Sequence, residues 1–396
     1  MNAVVIKKGR EASLLRHHPW VFSGAVARLV GKPKRGETVR IQAADGRTLA
    51  VGAYSPDSQI RVRLWDHDPQ TAIDAAFFHH RLERAIAWRG RLPQLRDTNA
   101  WRIVNGESDG LPGVVVDRYA DFAVCQFLSA GADLWREEIV AALRAQLPIK
   151  GVFERSDTDA RRKEGLPPSM GPIWGVPPPE LIDITEGPLR FQVDVQTGHK
   201  TGFYLDQREN RRLVAAYSPG AHVLNAFAYT GAFGLWALAG GAETVTHLEA
   251  SADALTQADV HTALNGFDSA KVSLITADVF KQLRIYRDQG QRFDLVILDP
   301  PKFAAAAGQV SKAARGYKDI NLLAFRLLRP GGTLFTFSCS GHVDGALFQK
   351  IVFDAALDAG CTVKILHDLG QAPDHPVALN FPESRYLKGF AVGIEG

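Results

Sequence analysis

The rhythm of apolar and polar positions changes twice along the chain. Up to residue 65, short runs with alternating character predict strands over 37–43, 47–54 and 59–65. Turn-forming Asp45-Gly46 and residues 55–58 separate them. No helical period appears there, so a small β-barrel-like module is expected. Between 71 and 92 the pattern shifts. Phe77, Phe78, Leu82, Ala85, Ile86 and Trp88 recur at helical spacing and predict one helix. Strands at 113–117 and 122–127, a helix over 132–146 and a strand at 150–154 complete a small α+β module. Residues 155–179 pass from a charged run to one rich in Pro and Gly, and read as a loop and connector. From 221 onward strands (222–225, 244–249, 271–276, 293–298, 332–338, 361–366) alternate with helices such as 252–265 and 311–328. Such alternation predicts an α/β domain with a doubly wound parallel sheet. The expected domains are 1–70, 71–187 and 188–396.

Composition narrows the class. With 46% hydrophobic and 22% charged residues in 396, the chain is an ordinary globular protein. Cys125, Cys339 and Cys361 share no metal-ligand spacing and form an odd set. No metal and no disulfide framework are therefore expected, and a reducing, cytoplasmic location is. The charge-free run 223–242 has the length of a membrane span. Asn225, Thr230 and its glycines make a strand, a glycine loop and a helix the better fit, so no membrane partner is expected. Net charge is only +3, yet residues 1–65 are strongly basic. Lys7, Lys8, Arg10, Arg16, Arg28, Lys32, Lys34, Arg35, Arg40, Arg47, Arg61 and Arg63 face only Glu11, Glu37, Asp45 and Asp57. A basic module on a net acidic body suits a polyanionic partner, although a solvated basic face would look the same. Trp20 and Phe22 beside it can stack on unpaired bases or simply form core.

Four constellations carry chemistry. Asn225-Ala-Phe-Ala-Tyr-Thr-Gly231-Ala-Phe-Gly234 lies between a strand and a helix, and the next strand ends in Glu249, whose carboxylate can accept both ribose hydroxyls. The loop departs from G-x-G-x-x-G and the chain lacks a Walker lysine, which disfavours hydride and phosphoryl transfer. Asp299-Pro300-Pro301-Lys302-Phe303 follows an apolar strand. Its double proline removes two donors and leaves carbonyls free for a flat base with an amine. Ser338-Cys339-Ser340-Gly341-His342 follows another. Cys125 and Cys361 suit buried roles, whereas Cys339 sits where the apolar run gives way to small polar residues. Finally, His199 and Lys200 lie between glycines in a loop before Asp206, and Glu209 three residues on completes a capping-box pattern.

NxFxYTGxFG, ExS with Glu249, ADVF with Asp278, DPPKF and SCSGH occur in one order. They resemble the motifs of S-adenosylmethionine-dependent class I RNA methyltransferases. With TGHKTGFYLDQRENR and the basic N-terminal module, the whole chain resembles the ribosomal RNA large subunit methyltransferase I group. That resemblance implies a PUA-like domain, a central α+β domain and a Rossmann-like class I methyltransferase domain. It implies a large-subunit ribosomal RNA partner and 5-methylcytosine as product, with Cys339 as the nucleophile and Asp299 on the base. The S-adenosylmethionine site would draw on Phe227, Tyr229, Thr230, Gly231 and Phe233, on Glu249 with Ala250 and Ser251 for the ribose, and on Asp278 with Val279 for the adenine. Asp299 would join them, and Lys200, Thr201, Tyr204 and Gln207 would close over the cofactor. Related cytosine-5 enzymes often carry a second cysteine after the double proline. Lys302 stands there, leaving a water or His342 to take the C5 proton. An amine-directed methyltransferase and a non-catalytic assembly factor are the alternatives, and a homodimer is among the assemblies left open.

Overall fold

The computed structural model describes residues 2–304 and 306–395. The chain forms two compact units. The first comprises Met1–Thr185, Val193–Leu205 and Pro373–Ser384, and the second Glu186–Gln192, Asp206–Ala372 and Arg385–Gly396.

The first unit holds two sheets. One has six strands in the order Trp20–Phe22, Ile60–Asp66, Thr48–Tyr54, Thr38–Gln42, Ala3–Ile6, Val26–Val30. Val4, Ile6, Val21, Val39, Ile41, Val62 and Leu64 fill its interior. The alternation read from the sequence found three adjacent strands, Thr38–Gln42, Thr48–Tyr54 and Ile60–Asp66, and missed Ala3–Ile6, Trp20–Phe22 and Val26–Val30. The other sheet has five strands, Ser169–Gly175, Gly151–Ser156, Phe122–Phe127, Val114–Tyr119 and Ala100–Asn105. The helix Ala75–Gly90 starts at Asp74, whose side chain accepts from Phe77 N at 2.9 Å. It buries Phe78, Leu82 and Ala85 with Ile139 and Leu143 of the helix Arg136–Gln146.

The connector expected over 155–179 is corrected. It contains a helix, Asp159–Lys163, and the strand Ser169–Gly175, which pairs antiparallel with Gly151–Ser156. Proline and glycine concealed this strand. It lies at the sheet edge, where Pro172 is tolerated because one side of the strand needs no ladder donor.

The second unit is built on a seven-stranded sheet. Its order is Val272–Thr276, Thr244–Glu249, His222–Ala226, Phe293–Leu298, Leu328–Ser338, Lys388–Ile394, Val363–Gly370. The first five strands run parallel. Lys388–Ile394 is antiparallel to both neighbours, so the sheet is mixed rather than wholly parallel. Continuous runs such as Phe-Asp-Leu-Val-Ile-Leu occur because helices cover both faces of the central strands. One face packs Leu224, Leu248, Val296, Leu298 and Leu334 against Tyr317, Ile320, Leu323 and Phe348. The other packs Val223, Val245, Leu295, Ile297 and Phe335 against Val214, Phe233 and Ala237. Strand order reverses between His222–Ala226 and Phe293–Leu298. Ligands of such sheets bind in the crevice outside the carboxyl ends at this point. The run 223–242 divides into the strand His222–Ala226, a loop and the helix Ala232–Ala239. Among the described residues no helix is long and apolar enough to cross a membrane.

Candidate active site

Five strands deliver their carboxyl ends to one edge of the second unit. After His222–Ala226 the chain makes a tight loop with Phe227 at φ 59° and Tyr229 at φ 47°, conformations that non-glycine residues hold only when their surroundings enforce them. The enforcement is visible. Glu249, at the end of the next strand, accepts from Tyr229 N at 3.0 Å, Ala250 N at 2.7 Å and Ser251 N at 3.1 Å. His261 Nδ1 bonds Thr230 O at 3.0 Å. Thr230 Oγ1 is buried with no hydrogen-bond partner among the described residues.

Gly231 and Gly234 are also required by close packing within the protein. A Cβ on Gly234 would lie 2.3 Å from His247 Cε1 and 2.7 Å from Val245 Cγ1, and one on Gly231 would lie 2.8 Å from Ala258 Cβ. These glycines let the helix Ala232–Ala239 settle directly on the neighbouring strand. Phe233 and Val279 likewise belong to the core, at 7% and 4% exposure. Ser251 and Asp278 are helix caps, accepting from Ala254 N at 3.2 Å and Lys281 N at 2.9 Å.

His247, beneath the loop, is fully buried. Burial, and then the nearby His261, pull its pKa from 6.5 down to about 4. The unfolded chain takes up this proton below about 6.5, and the folded chain does so only near 4. Stability therefore falls as pH drops through that window, by about 3 kcal/mol at its foot. Thermal unfolding between pH 7 and 4.5 should show a shallower pH slope for His247→Gln than for the parent. Equal slopes would remove this histidine from the account.

Asp299 follows Phe293–Leu298 and accepts from Gln207 Nε2 at 3.0 Å. Gln207 is oriented in turn by Asn210, whose Nδ2 donates to Gln207 Oε1 at 2.5 Å and to Gly370 O at 2.9 Å. Gln207, expected near the cofactor, is thus held against Asp299, itself one of the expected site residues. Asp206 Oδ2 accepts from Tyr386 Oη at 2.6 Å, a short 3-10 turn covers Leu205–Gln207, and the helix Arg208–Ala216 starts without a side-chain cap.

Cys339 follows Leu328–Ser338 and is half-buried. Its loop is joined to the loop after Asp299. Ser340 Oγ accepts from Ala304 N at 3.2 Å and bonds Tyr317 Oη at 3.0 Å. Beneath it, the buried Lys388 Nζ donates to Ser340 O and Val343 O, each at 2.7 Å. Burial pulls the Lys388 ammonium down to about 8, against upward pushes from Cys339 and then Asp344. Sequence reasoning missed Lys388. The only signal was a lysine opening the otherwise apolar run Gly-Phe-Ala-Val. Phe227, Phe280, Phe303 and Tyr317 form a chain of ring contacts with centroids 6.3, 5.8 and 4.6 Å apart, running from the loop after His222–Ala226 to the buried Tyr317.

Lys200, Thr201 and Tyr204 lie in the first unit. Thr201, 1% exposed, bonds Tyr119 Oη at 2.9 Å and Asp117 Oδ2 at 2.6 Å, so its hydroxyl is committed there. Lys200 Nζ lies 4.4 Å from the centre of the Tyr204 ring. Arg155 supports this loop, donating to Val195 O at 2.8 Å and Gly198 O at 3.0 Å. Trp20 is partly buried. Its Nε1 donates to Glu107 at 2.7 Å and its ring packs on Phe381, while Phe22 stays 49% exposed.

Residues 166–379 match the S-adenosylmethionine-dependent methyltransferase family model, and residues 4–67 match a PUA-like domain. Over 391 residues the chain is 51% identical to ribosomal RNA large subunit methyltransferase I of Klebsiella pneumoniae strain 342, covering 99% of this chain and 98% of that one. The chain belongs to the ribosomal RNA large subunit methyltransferase I family. The Escherichia coli SMS-3-5 member is 50% identical, with 99% of both chains covered. The fold agrees with that of SMU.776, solved in complex with SAH, at a TM-score of 0.88 and 23% identity, covering 99% of this chain and 100% of that one. As a member of this family the protein is an S-adenosylmethionine-dependent methyltransferase with a PUA-like N-terminal domain and a Rossmann-like catalytic fold. The donor set suits that cofactor. Carboxylates end the second strand and follow the third, as ribose hydroxyls and an adenine amine require. The Thr230 hydroxyl, buried and without a hydrogen-bond partner among the described residues, lies in the loop after the first strand.

Proposed function

We propose that this protein methylates C5 of a cytosine in large-subunit ribosomal RNA, with Cys339 bonding transiently to C6. The observation that carries this reading is the joining of the Asp299 and Cys339 loops. They leave adjacent strands and are tied where Ser340 Oγ accepts from Ala304 N and bonds Tyr317 Oη, with Lys388 holding the Cys339 loop at Ser340 O. Bound S-adenosylmethionine supplies an electrophilic methyl group. Phe227, Tyr229, Thr230 and Gly231 would hold its methionine part, Glu249 with Ala250 and Ser251 the ribose, and Asp278 with Val279 the adenine.

C5 of cytosine is too weak a nucleophile to react unaided. When the Cys339 thiolate adds to C6, the C5=C6 electron pair is freed at C5, which then takes the methyl group. Loss of the C5 proton restores the double bond and expels the thiolate. Asp299, oriented by Gln207, would bond the base at its N3 edge and favour the adduct. A water, or His342 on the exposed loop three residues beyond Cys339, takes the C5 proton. The target must leave its stack to enter. The basic N-terminal module, residues 1–70, would bind the RNA with the central module 71–187, and 188–396 would carry the chemistry. Such a protein works in the cytoplasm, where ribosomes are assembled.

Lys388 favours the thiolate at Cys339, since a nearby ammonium stabilises the charged form. Lys388→Met should therefore raise the pH midpoint for alkylation of Cys339, followed by mass spectrometry, by about one unit. It should also slow methyl transfer severalfold at neutral pH. An unmoved midpoint would refute that role.

The direct test of the whole reading is mapping of 5-methylcytosine in ribosomal RNA from cells with and without the gene. Loss of one such site in the deletion strain, restored by the parent chain but not by Cys339→Ala, is expected. An unchanged map would overturn it.

A further inference from the structure

The helix Ala75–Gly90 and the residue after it present one stripe that the chemistry above does not use. Arg81, Arg84, Trp88 and Arg91 follow at spacings of three, four and three, so they share one side of the helix. They line a cleft of about 430 Å³ whose far wall is the turn Ser108–Gly110. That volume lies within the range of sites that hold small ligands.

The charges of the cleft are not mutually satisfied. Asp109 is its single acid, and the buried Arg89 takes both carboxylate oxygens at 2.6 and 2.8 Å. Arg81 is paired with Asp66 at 2.7 Å. Arg84 and Arg91 are exposed and have no ion-pair partner among the described residues. Between them Trp88 is 47% exposed, although an aromatic ring of its size ordinarily seeks burial. An exposed indole flanked by two unpaired guanidinium groups is the arrangement that single-stranded nucleic acid uses. The ring stacks on a base, and the cations meet the phosphates on either side. Seven helical residues separate the arginines by about 10 Å along the axis, the reach of one or two extended nucleotides. An acidic protein would satisfy the arginines but leaves the exposed ring without a role.

We infer that this cleft is a single-stranded RNA subsite in which a base stacks on Trp88 while Arg84 and Arg91 neutralise the adjoining phosphates. The inference rests on the ribosomal RNA reading and adds a second holding point for the substrate.

The test measures affinity for a single-stranded RNA oligonucleotide by fluorescence anisotropy, beside S-adenosylmethionine binding by calorimetry. Trp88→Ala should weaken RNA binding fivefold or more, and Trp88→Phe should stay within twofold of the parent. The pair R84Q/R91Q should flatten the slope of log K against log salt by about 1.4. Cofactor binding should be unchanged in all three, since the side chains are on the surface. A parent that binds and methylates RNA, with variants of the same affinity and salt slope, would overturn this inference and leave the methyltransferase reading intact. So would variants that keep RNA affinity but lose binding of a poly-glutamate peptide, which would assign the stripe to an acidic protein. A parent that neither binds nor methylates RNA would overturn both readings.

Discussion

Replacing Cys339 by alanine is expected to reduce methyl transfer by at least about a thousandfold, because a residue that forms a covalent intermediate has no partial substitute. Cofactor affinity should stay within twofold, since the proposed binding groups lie on other strand ends. Cys339→Ser should be nearly as inactive, because a hydroxyl does not ionise at neutral pH. RNA carrying 5-fluorocytosine provides a second readout. After attack at C6 and methyl transfer, C5 holds fluorine where a proton would normally leave, so elimination stops and the protein stays bonded to the RNA. The parent should give a complex that survives denaturing electrophoresis, and Cys339→Ala should give none. Full methyl transfer by Cys339→Ala would reject the adduct. It would favour the amine-directed alternative, in which Asp299, the double proline and Phe303 hold a purine amine directly.

The largest effect on stability is expected at Glu186. Arg211 Nε donates to its Oε1 at 2.7 Å, Arg211 Nη2 bonds Oε2, and Trp236 Nε1 donates to Oε1 at 2.8 Å. Arg208 stands 3.8 Å away. Burial would raise the carboxyl's pKa, but Arg211 first, and then Arg208 and Trp236, outweigh it and hold the group below its ordinary value. Glu186, Arg208 and Arg211 are all at most 1% exposed. Glu186→Ala therefore removes a buried carboxylate that Arg211 and Trp236 bond and Arg208 approaches, a loss that costs about 3–5 kcal/mol. For a unit of this size that lowers the unfolding temperature by on the order of 10 °C. Glu186→Gln keeps the shape and one acceptor, and should fall between. The same change should reach the chemistry, because the helix Arg208–Ala216 follows Gln207, which orients Asp299. A Glu186→Ala protein within 1 kcal/mol of the parent would show that this cluster is not a keystone of the second unit.

Both predictions concern groups whose positions were legible to different degrees. The strand ends were legible because a parallel strand covered on both faces is a run of apolar residues, and the run stops where the chain reaches the crevice. Thus Thr244–Glu249 and Phe293–Leu298 lie where the pattern placed them, and Glu249, Asp299 and Cys339 stand at or just beyond such ends. The order of the motifs carried the family for the same reason. Local spacing held no information about groups whose partners are distant in the chain. Gln207 meets Asp299 92 residues away, and Lys388 meets Ser340 across 48. The close packing of Gly231 and Gly234 on His247 of the next strand was likewise invisible in local spacing.

The sequence alone settled which residues end the strands, and so which chemistry can gather at one edge, because burial on both faces is written in hydrophobicity. Only the tertiary structure decided the antiparallel turn of Lys388–Ile394, the edge strand Ser169–Gly175 and the partners that orient Asp299 and Cys339. Those depend on which segments become neighbours, and pairing between distant segments leaves no period in either one.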